Sequence, residues 1–408
     1  MSKITFDEAW DNIFEHYNIL EKIERDGFFD ISAEELKRID HKEPRLLTKI
    51  DHRQNLPRIM QEHNLAILAI QNGLYRIGHF DPFIEIQETY PPPKPIAAPL
   101  HLHSIDPFTI TNENVALDVC ALSGVFEDLF GEKVALTIRG RIRGDLFFRL
   151  NGIDFNVKGV QMEVDGGYEG KNGLYLIEAK IGYRNTLNIR QLLYPHLFWQ
   201  RRVKKEVKSY IFLYQNGVFR FIPYVYDGYQ SYADHTNERT YIFKPQKRIY
   251  FSLYSITTKY NFVDTAAPFP QADSFERLYD LFLEIAKGAT TKEELFLNFD
   301  LTLRQLYYYL DAIRWMRLCS IDGQNVEPTD KALQIVQRSY IEQLKEFAQI
   351  IFSEPICYNI LHEKPIDANL WDRYGIRSQS TKMRRIQTIK SWIRFFTNRL
   401  HTLFEGTL

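Results

Sequence analysis

Glu163-Val-Asp165-Gly-Gly-Tyr-Glu-Gly-Lys-Asn-Gly-Leu-Tyr-Leu-Ile-Glu178-Ala-Lys180 is the stretch that decides the fold of this chain. An acidic residue precedes a glycine-rich turn, and a short apolar run then ends in Glu-Ala-Lys. Every second side chain of a strand points to the same face, so Glu178 and Lys180 point the same way, as do Glu163 and Asp165. If the two segments pair as neighbouring strands, carboxylates and an ammonium group meet at one end of a sheet. Oxygen ligands beside a lysine suit Mg²⁺-dependent phosphodiester cleavage.

The composition of the 408-residue chain indicates a multidomain globular protein, because 45% hydrophobic residues supply ample cores. No apolar run reaches the roughly 18 residues of a membrane span, and the N-terminus lacks an apolar signal-peptide region. Three separated cysteines, Cys120, Cys319 and Cys357, fit neither a disulfide framework nor a zinc site. We therefore expect a cytoplasmic protein with no membrane partner. The net charge of −1 neither indicates nor excludes nucleic acid, because phosphate contact depends on local patches.

A proline-rich segment at 90–99, Tyr-Pro-Pro-Pro-Lys-Pro-Ile-Ala-Ala-Pro, divides the chain. Its prolines favour a stiff, extended connection. We therefore predict three domains: a small α+β module at 1–95, a core domain at 100–265 and a C-terminal region at 270–408.

Periodicity and turn signals predict the elements of the first two domains. The first should contain a helix over 6–23 and a hairpin around Asn72-Gly73. The second should contain helices over 114–130 and 188–203, and strands at 134–139, 146–150, 153–157, 160–165, 174–180 and on both sides of Asn216-Gly217. This order is typical of a central mixed β-sheet flanked by helices, so the predicted fold class is a multidomain α+β or α/β protein.

The C-terminal region has the element order of a winged helix, a variant of the helix-turn-helix. Helices are predicted over 275–286, from the Thr291 cap and over 302–316. A short hairpin at Asp322-Gly323 and a further helix from Thr329 follow them. The region is therefore expected to be mainly helical.

The spacing from Asp165 to Glu178-Ala-Lys180 resembles the signature of the PD-(D/E)XK nuclease superfamily, and the flanking helices and strands stand in the order that this superfamily uses. The longer Gly-Val-Gln-Met-Glu-Val-Asp-Gly-Gly at 159–167 resembles a group of bacterial type II restriction endonucleases. Residues 43–57, Glu-Pro-Arg-Leu-Leu-Thr-Lys-Ile-Asp-His-Arg-Gln-Asn-Leu-Pro, resemble the N-terminal part of the same group. One departure is Val164, which stands where the signature has proline.

The resemblance implies a Mg²⁺ site in which Mn²⁺ is expected to substitute. Asp165 and Glu178 are the implied ligands, and the main-chain carbonyl oxygen of Ala179 is a third. Lys180 is expected to orient the attacking water and to stabilise the transition state.

Three further site residues have alternative interpretations. Glu163 either serves a second metal ion or pairs with an arginine such as Arg141. Glu127, on the helix before the sheet, either reaches the metal or lies on the helix surface. Gln191 either contacts the scissile phosphate or the attacking water, or it belongs to a helix that only packs on the sheet.

DNA contacts are predicted in four places. Near the start of the third winged-helix helix, Arg304, Gln305 and Tyr308 are placed where major-groove readers contact bases, although such a domain can also serve protein interaction. The remaining candidates are cationic or amide side chains in the N-terminal segment, in a basic run at 139–143 and in the C-terminal helix, where the cations are expected to hold phosphates: Lys49, Arg53, Asn55, Arg141, Lys382, Arg384 and Arg385.

The function predicted from the sequence is a Mg²⁺-dependent, sequence-specific endonuclease that cuts double-stranded DNA to 5′-phosphate ends, as type II restriction enzymes do. A homodimer on DNA is a reasonable arrangement for cutting two strands, and a cognate DNA methyltransferase is expected as a genetic partner. Two alternatives stay open: a repair or mobile-element nuclease on the same core, and a non-catalytic winged-helix DNA-binding regulator.

Overall fold

The N-terminal segment is an α+β arrangement of short helices and a β-hairpin. The computed structural model describes residues 5–40, 43–89, 91–99, 102, 104–244, 251–258, 263–299 and 301–405. The first elements are α1 (Phe6–Tyr17), α2 (Ile19–Asp26), β1 (Phe28–Ser32), α3 (Ala33–Asp40), α4 (Pro44–Thr48), α5 (Arg58–Glu62), β2 (Ala66–Gln71), β3 (Leu74–Gly78), β4 (Phe83–Glu85) and β5 (Lys94–Ile96). The predicted hairpin at Asn72-Gly73 is thereby confirmed.

The middle of the chain supplies most of the central sheet and the helices that cover it. Its elements are α6 (Glu113–Leu122), α7 (Val125–Phe130), β6 (Ala135–Leu150), β7 (Ile153–Glu169), β8 (Gly173–Ile181), β9 (Thr186–Asn188), a 3-10 turn (Ile189–Gln191), α8 (Leu193–Gln200), β10 (Glu206–Gln215), β11 (Val218–Tyr226), β12 (Ser231–Ala233) and β13 (Arg239–Phe243).

The C-terminal region is largely helical and contains the predicted winged helix. Its elements are α9 (Phe275–Ile285), β14 (Thr290–Thr291), α10 (Lys292–Asn298), α11 (Leu303–Trp315), β15 (Cys319–Asp322), β16 (Asn325–Pro328), α12 (Asp330–Val336), α13 (Tyr340–Phe352), α14 (Pro355–Leu361), α15 (Ala368–Asp372) and α16 (Gln379–Glu405). The wing is a small sheet in the order β14-β16-β15. Within the described residues, no helix is long and apolar enough to cross a membrane.

The central sheet has eleven strands within the described chain and mixes parallel and antiparallel pairs. Its main path runs β1-β3-β2-β7-β8-β10-β11-β13-β5, with β6 on β7 and β12 on β11. Strand β6 follows one edge of β7. The other edge is shared, because β2 pairs there only through Gln71 and Lys158, whereas β8 pairs with Gly166 to Glu169. Strands β2 and β8 therefore diverge along one edge of β7 and leave a fork at residues 159–165.

The N-terminal segment is continuous with the central sheet. Its helices bury Trp10 and Ile13 in the same apolar core as Leu146, Tyr194 and Ile211 of the middle region. The proline-rich segment predicted to be a linker contains β5, which pairs in parallel with β13. A boundary at residue 95 would therefore divide one sheet between two domains.

Several predicted elements have different bounds in the structure. The strands predicted at 134–139 and 146–150 form the single strand β6, and those at 153–157 and 160–165 form β7. The helix predicted over 114–130 breaks at Gly124, whose φ of 73° lies in the left-handed region. The helix predicted from residue 188 begins only at Leu193, because Asn188 ends a strand and its side chain caps the 3-10 turn instead.

Candidate active site

The pairing of β7 with β8 brings the predicted catalytic residues together. Gly166 lies opposite Ile177 in antiparallel register, which places Asp165 beside the end of β8. One carboxylate oxygen of Asp165, Oδ2, accepts a hydrogen bond of 2.8 Å from the main-chain N–H of Ala179. The two segments therefore pair as neighbouring strands, as the sequence predicted.

Lys180 completes the group from the same strand as Glu178. Its Nζ donates to Glu178 Oε1 at 2.5 Å and to the main-chain oxygen of Ala179 at 3.1 Å. The Glu178 side chain is only 7% exposed and that of Lys180 20% exposed, so the ion pair is largely shielded from water. A shielded pair exerts a stronger field on a bound substrate than a surface pair.

Burial and the neighbouring charges shift the pKa values of Asp165, Glu178 and Lys180. Burial is the main cause that raises the pKa of Glu178 to about 8, against the lowering effect of Lys180 and with a further increase from Asp165. Burial also raises the pKa of Asp165, whereas Lys180 lowers it. For Lys180, burial acts to lower the pKa, but the charges of Glu178 and Asp165 outweigh it and the pKa is raised. In the protein alone, burial and the neighbouring carboxylates therefore oppose ionisation of Glu178 and Asp165, and a bound cation would favour their charged forms.

The donors around this group fit a hard divalent cation. Two carboxylates and the main-chain oxygen of Ala179 converge at one strand end, and Mg²⁺ prefers oxygen ligands and keeps several waters. Within the described residues, no set of three or more His, Cys, Asp or Glu side chains forms a cage for a metal ion. The candidate ligands from the side chains are therefore the two carboxylates of Asp165 and Glu178 alone, and a Mg²⁺ site can use as few as one or two carboxylates.

The structure places Gln191 next to this group, on the 3-10 turn and not on a helix. Gln191 and Glu178 line the same small cavity of about 10 Å³, together with Ser209 of β10. The Oε1 atom of Gln191 is buried and has no hydrogen-bond partner among the described residues. Because a buried polar atom is costly to leave unpaired, this oxygen indicates a missing partner such as a water or substrate group.

Of the two helix carboxylates, Glu113 influences the pKa values at the candidate site, whereas the prediction from the sequence was Glu127. Glu113 lies in the first turn of α6, which begins at the Asn112 cap. Its charge raises the pKa of both Asp165 and Lys180. Glu127 is exposed on α7. Gly124 divides the helix predicted over 114–130, and its earlier part, α6, carries the carboxylate that acts on Asp165 and Lys180.

A second carboxylate that the sequence did not identify comes from the N-terminal segment. Asp51 contacts Arg190 at 3.2 Å, and its charge raises the pKa of Glu178. Burial raises the pKa of Asp51 itself, but Arg190 and Lys49 outweigh burial and the net direction is downward. Only the tertiary fold reveals this residue, because about 110 to 130 positions separate it from the Asp165 and Glu178 strands.

Glu163 pairs with Arg141 at 3.3 Å across the β6–β7 ladder, and both side chains are more than half exposed. This is the ion-pair interpretation of the two considered for Glu163. Glu163 also contributes to the small cavity at Glu178 and raises the pKa of Asp165. Such an exposed pair is weak, so Arg141 remains a candidate for phosphate contact.

The N-terminal residues predicted to read DNA are engaged within the protein. Asn55 is buried, and its side-chain amide donates to the carbonyl oxygens of Phe296 and Leu297 in α10. Arg53 forms ion pairs with Asp81 and Glu85, at 2.8 Å each.

Lys49 donates to Asn298 Oδ1 at 2.8 Å. With this contact, the 49–55 segment connects the central sheet to the winged helix. Asn55 has a structural role here, which corrects its assignment as a base reader. Lys49 and Arg53 already have partners that DNA phosphates would have to displace.

The winged-helix candidates form a cationic surface on α11 and α16. Arg304 is exposed and donates to the Tyr308 hydroxyl at 2.6 Å, and Tyr308 also lies close enough to Arg385 to affect its pKa. Burial and the neighbouring Arg384 lower the pKa of Arg385, whose Nε is buried without a described partner. Lys382 lies on the same helix, one turn earlier. These cationic side chains give the surface positive charge, as phosphate contact requires.

Gln305 has a different role from the one predicted. Its Oε1 accepts hydrogen bonds from the main-chain N–H of Thr302 at 2.9 Å and from the Thr302 hydroxyl at 3.0 Å. The two residues form the capping box of α11. A base contact by Gln305 would compete with this cap.

Three domain families of unknown function match consecutive parts of the chain. Domain of unknown function DUF6996 matches residues 7–77, DUF6997 matches 78–244, and DUF7226 matches 277–401. The comparison with curated proteins and that with solved structures both find no match. The family boundary at 77 and 78 separates the β2–β3 hairpin from the central sheet in which it is paired, and the third family contains the winged helix.

Proposed function

We propose that this protein is a Mg²⁺-dependent, sequence-specific endonuclease that cuts double-stranded DNA, of the type II restriction kind. The observation that carries the proposal is the convergence of Asp165, Glu178 and Lys180 on adjacent strands, supported by the resemblance of this stretch to the PD-(D/E)XK signature. The family matches carry no functional description, so the chemistry of the site and that resemblance are its support.

The residues would divide the work of phosphodiester hydrolysis as follows. Asp165, Glu178 and the main-chain oxygen of Ala179 would hold the Mg²⁺ ion, which supplies an acidified water and neutralises charge on the phosphate oxygens. Lys180 is held against Glu178 Oε1 and the Ala179 oxygen, where its ammonium can orient water and stabilise developing negative charge. Gln191 has a free acceptor in the adjoining cavity and can position a water molecule.

The winged helix supports DNA as the substrate. Its α11 and the adjoining part of α16 present Arg304, Arg384 and Arg385 on one surface, which is suited to the phosphate backbone. The same surface also supports the alternative of a non-catalytic DNA-binding regulator. A buried carboxylate–lysine group beside an unpaired glutamine oxygen has no use in such a regulator and favours the nuclease.

A cleavage assay tests the proposal directly. The purified protein is incubated with unmethylated phage DNA in the presence of Mg²⁺, and in parallel with EDTA. Discrete fragments that require Mg²⁺ support restriction, and 5′-phosphate ends should be found on them. A smear or cutting only at unusual structures supports a repair or mobile-element nuclease, and binding without cutting supports the regulator.

Lys180→Ala separates catalysis from binding. We expect this variant to lose cleavage by about 100-fold or more, because an electrostatic group aimed at the transition state is removed, while a gel shift with the same DNA stays nearly unchanged. The matched control is Lys208→Ala on the neighbouring strand β10, where the lysine is exposed and pairs with Glu206. Full cleavage by a folded Lys180→Ala protein would contradict the role given to Lys180.

A further inference from the structure

The fork between β2 and β8 opens into a cleft of about 410 Å³. Strand β2 and the hairpin turn form one wall, and Val160 and Gln161 line the cleft from the part of β7 that pairs only with β6. The end of α4 and Arg190 of the 3-10 turn close the other side. This volume is within the range of small-molecule sites and far below that of a DNA duplex.

The charge of the cleft is positive. Arg45, Lys49 and Arg190 line it, and none of the described residues that line it is an aspartate or glutamate. Arg45 is exposed and forms no ion pair with any described side chain. A cleft with cations at its rim and no carboxylate in its wall suits an anionic group such as a phosphate.

The wall of the cleft also offers what a nucleobase needs. Tyr75 provides an aromatic ring beside the apolar side chains of Ile67 and Val160. Gln71 and Gln161 are exposed, and neither amide has a hydrogen bond to a described side chain. Aromatic rings stack on bases, and amide side chains can both donate to and accept from base edges.

The cleft adjoins the candidate active site. Arg190 lines the cleft and contacts Asp51, whose charge acts on Glu178. The next residue along the chain, Gln191, lines the small cavity at Glu178. A nucleotide in the cleft would therefore lie beside the candidate active site.

We propose that this cleft binds a single nucleotide extruded from the DNA, with its base against Tyr75, Gln71 and Gln161 and its phosphate at Arg45 and Arg190. The inference rests on the proposed function, since it takes DNA as the substrate. Enzymes that extrude a nucleotide gain selectivity, because unstacking costs less at an unpaired position. A DNA strand with one extrahelical nucleotide should therefore bind better than a fully paired duplex.

The test measures binding and not cleavage. Fluorescein-labelled duplexes with a single extrahelical A, G, C or T at the centre are compared with the fully paired duplex by fluorescence anisotropy in EDTA. For at least one base, we expect the extrahelical duplex to bind about tenfold more tightly to the wild-type protein, the effect of one stacked and hydrogen-bonded base. Free AMP, GMP, CMP and TMP are added in a second series as competitors.

Variants locate the preference. Gln71→Ala with Gln161→Ala should abolish it, and Arg45→Ala should weaken the binding of the extrahelical duplex several-fold. The controls are Gln200→Ala, at the exposed C-terminal end of α8, and Lys204→Ala, an exposed residue just before β10, near the end of β8 opposite to Lys180. They should retain the wild-type preference.

The outcomes distinguish this proposal from the proposed function. Equal binding of paired and extrahelical duplexes by the wild-type protein overturns the cleft proposal and leaves the nuclease intact. Binding of free mononucleotides without any preference among duplexes assigns the cleft to a free nucleotide and also overturns it. A preference that the Gln71 and Gln161 variant loses, in a protein that does not cleave, supports the cleft and contradicts the nuclease.

Discussion

Four carboxylates from three parts of the chain influence the pKa of Lys180 or of the carboxylates beside it. Asp165 and Glu178 come from the central strands, Glu113 from α6 and Asp51 from the N-terminal segment. Such an accumulation costs free energy in the protein alone, since like charges and burial both oppose ionisation. The arrangement is understandable where a divalent cation occupies the site, and perturbed carboxylates of this kind are concentrated at functional sites.

Glu113→Gln tests whether α6 contributes to the site. The Glu113 carboxylate influences the pKa values of Asp165 and Lys180 and does not act through a contact in the core, so we expect the fold to stay intact. We expect activity or Mg²⁺ affinity to decrease by about 10- to 100-fold, as for residues that support a metal site. Cleavage rates at increasing Mg²⁺ concentration give the first measurement. Calorimetric titration of Mg²⁺ into the protein without DNA gives the second.

Glu127→Gln is the control for that experiment. It makes the same chemical change on the adjoining helix α7, where the side chain is exposed, and we expect wild-type cleavage and Mg²⁺ binding. A loss with Glu127→Gln and none with Glu113→Gln would restore the assignment made from the sequence and contradict the one from the structure.

At the level of elements, the sequence predicts helix caps and strand pairs correctly where the interacting residues lie close together in the chain. Thr291 caps α10 as predicted, and it forms a capping box with Glu294 three residues later. The pairing of the two strands that carry the candidate site was also predictable, because a short turn joins β7 to β8 and alternation fixes the faces.

Bent strands show where local reading is insufficient. Gly140 and Gly159 have positive φ, of 105° and 57°, inside β6 and β7. Glycine weakens the interior of a strand, and the sequence pattern around these glycines predicts two short strands in place of each long one. The ladder between β6 and β7 nevertheless continues with register shifts. Only cross-strand pairing distinguishes a bent strand from two strands, and the sequence does not state that pairing.

Thr302→Ala tests the cap of α11, the helix proposed to face DNA. The substitution removes the hydroxyl that accepts from the Gln305 N–H and donates to its side chain. We expect the free energy of unfolding to fall by about 0.5 to 2 kcal/mol. Urea denaturation followed by circular dichroism measures it.

Ser320→Ala is the comparison for the cap. It removes an exposed hydroxyl from β15 of the same winged helix, and its stability should be within about 0.5 kcal/mol of wild type, as for ordinary surface substitutions. If both variants lose the same stability, the capping box contributes nothing particular to α11.

At the scale of the whole molecule, contacts between its parts converge around the candidate site. The N-terminal segment contacts the winged helix through Lys49 and Asn55, and it contacts the 3-10 turn of the candidate site through Asp51 and Arg190. The sequence predicted separate modules because proline-rich composition suggests a linker. It did not predict these contacts, since each joins residues more than 130 positions apart.

The junction between the winged helix and the sheet contains a buried carboxylate, Asp280 of α9. Its Oδ2 accepts from the main-chain N–H of Tyr183 at 2.6 Å, just beyond the end of β8. Gly182 allows this approach, because a Cβ there would lie 2.6 Å from Asp280 Cγ. Burial raises the pKa of Asp280 to about 7, although the Tyr183 hydrogen bond and the charges of Arg184 and Arg277 act against it, and Glu276 acts with it.

This pKa predicts how pH changes the stability of the molecule. The folded pKa of Asp280 lies above the ordinary value of 3.8, so the folded state keeps a proton that the unfolded chain releases. The contribution of Asp280 to the free energy of unfolding is therefore full below about pH 4 and is lost as pH rises to about 7. Each unit of pKa difference corresponds to about 1.4 kcal/mol.

Asp280→Asn removes this titration. The amide oxygen can still accept from the Tyr183 N–H, while any cost of its unpaired amide hydrogens is the same at every pH. We therefore expect the free energy of unfolding of the variant minus that of wild type to increase by about 1 to 3 kcal/mol when the pH is raised from about 5 to about 8. Urea denaturation of both proteins at the two pH values measures the change, and the difference between proteins cancels the titration of all other groups. A stability difference that stays constant with pH would show that Asp280 is already ionised throughout this range, and the junction would then need a positive partner for it.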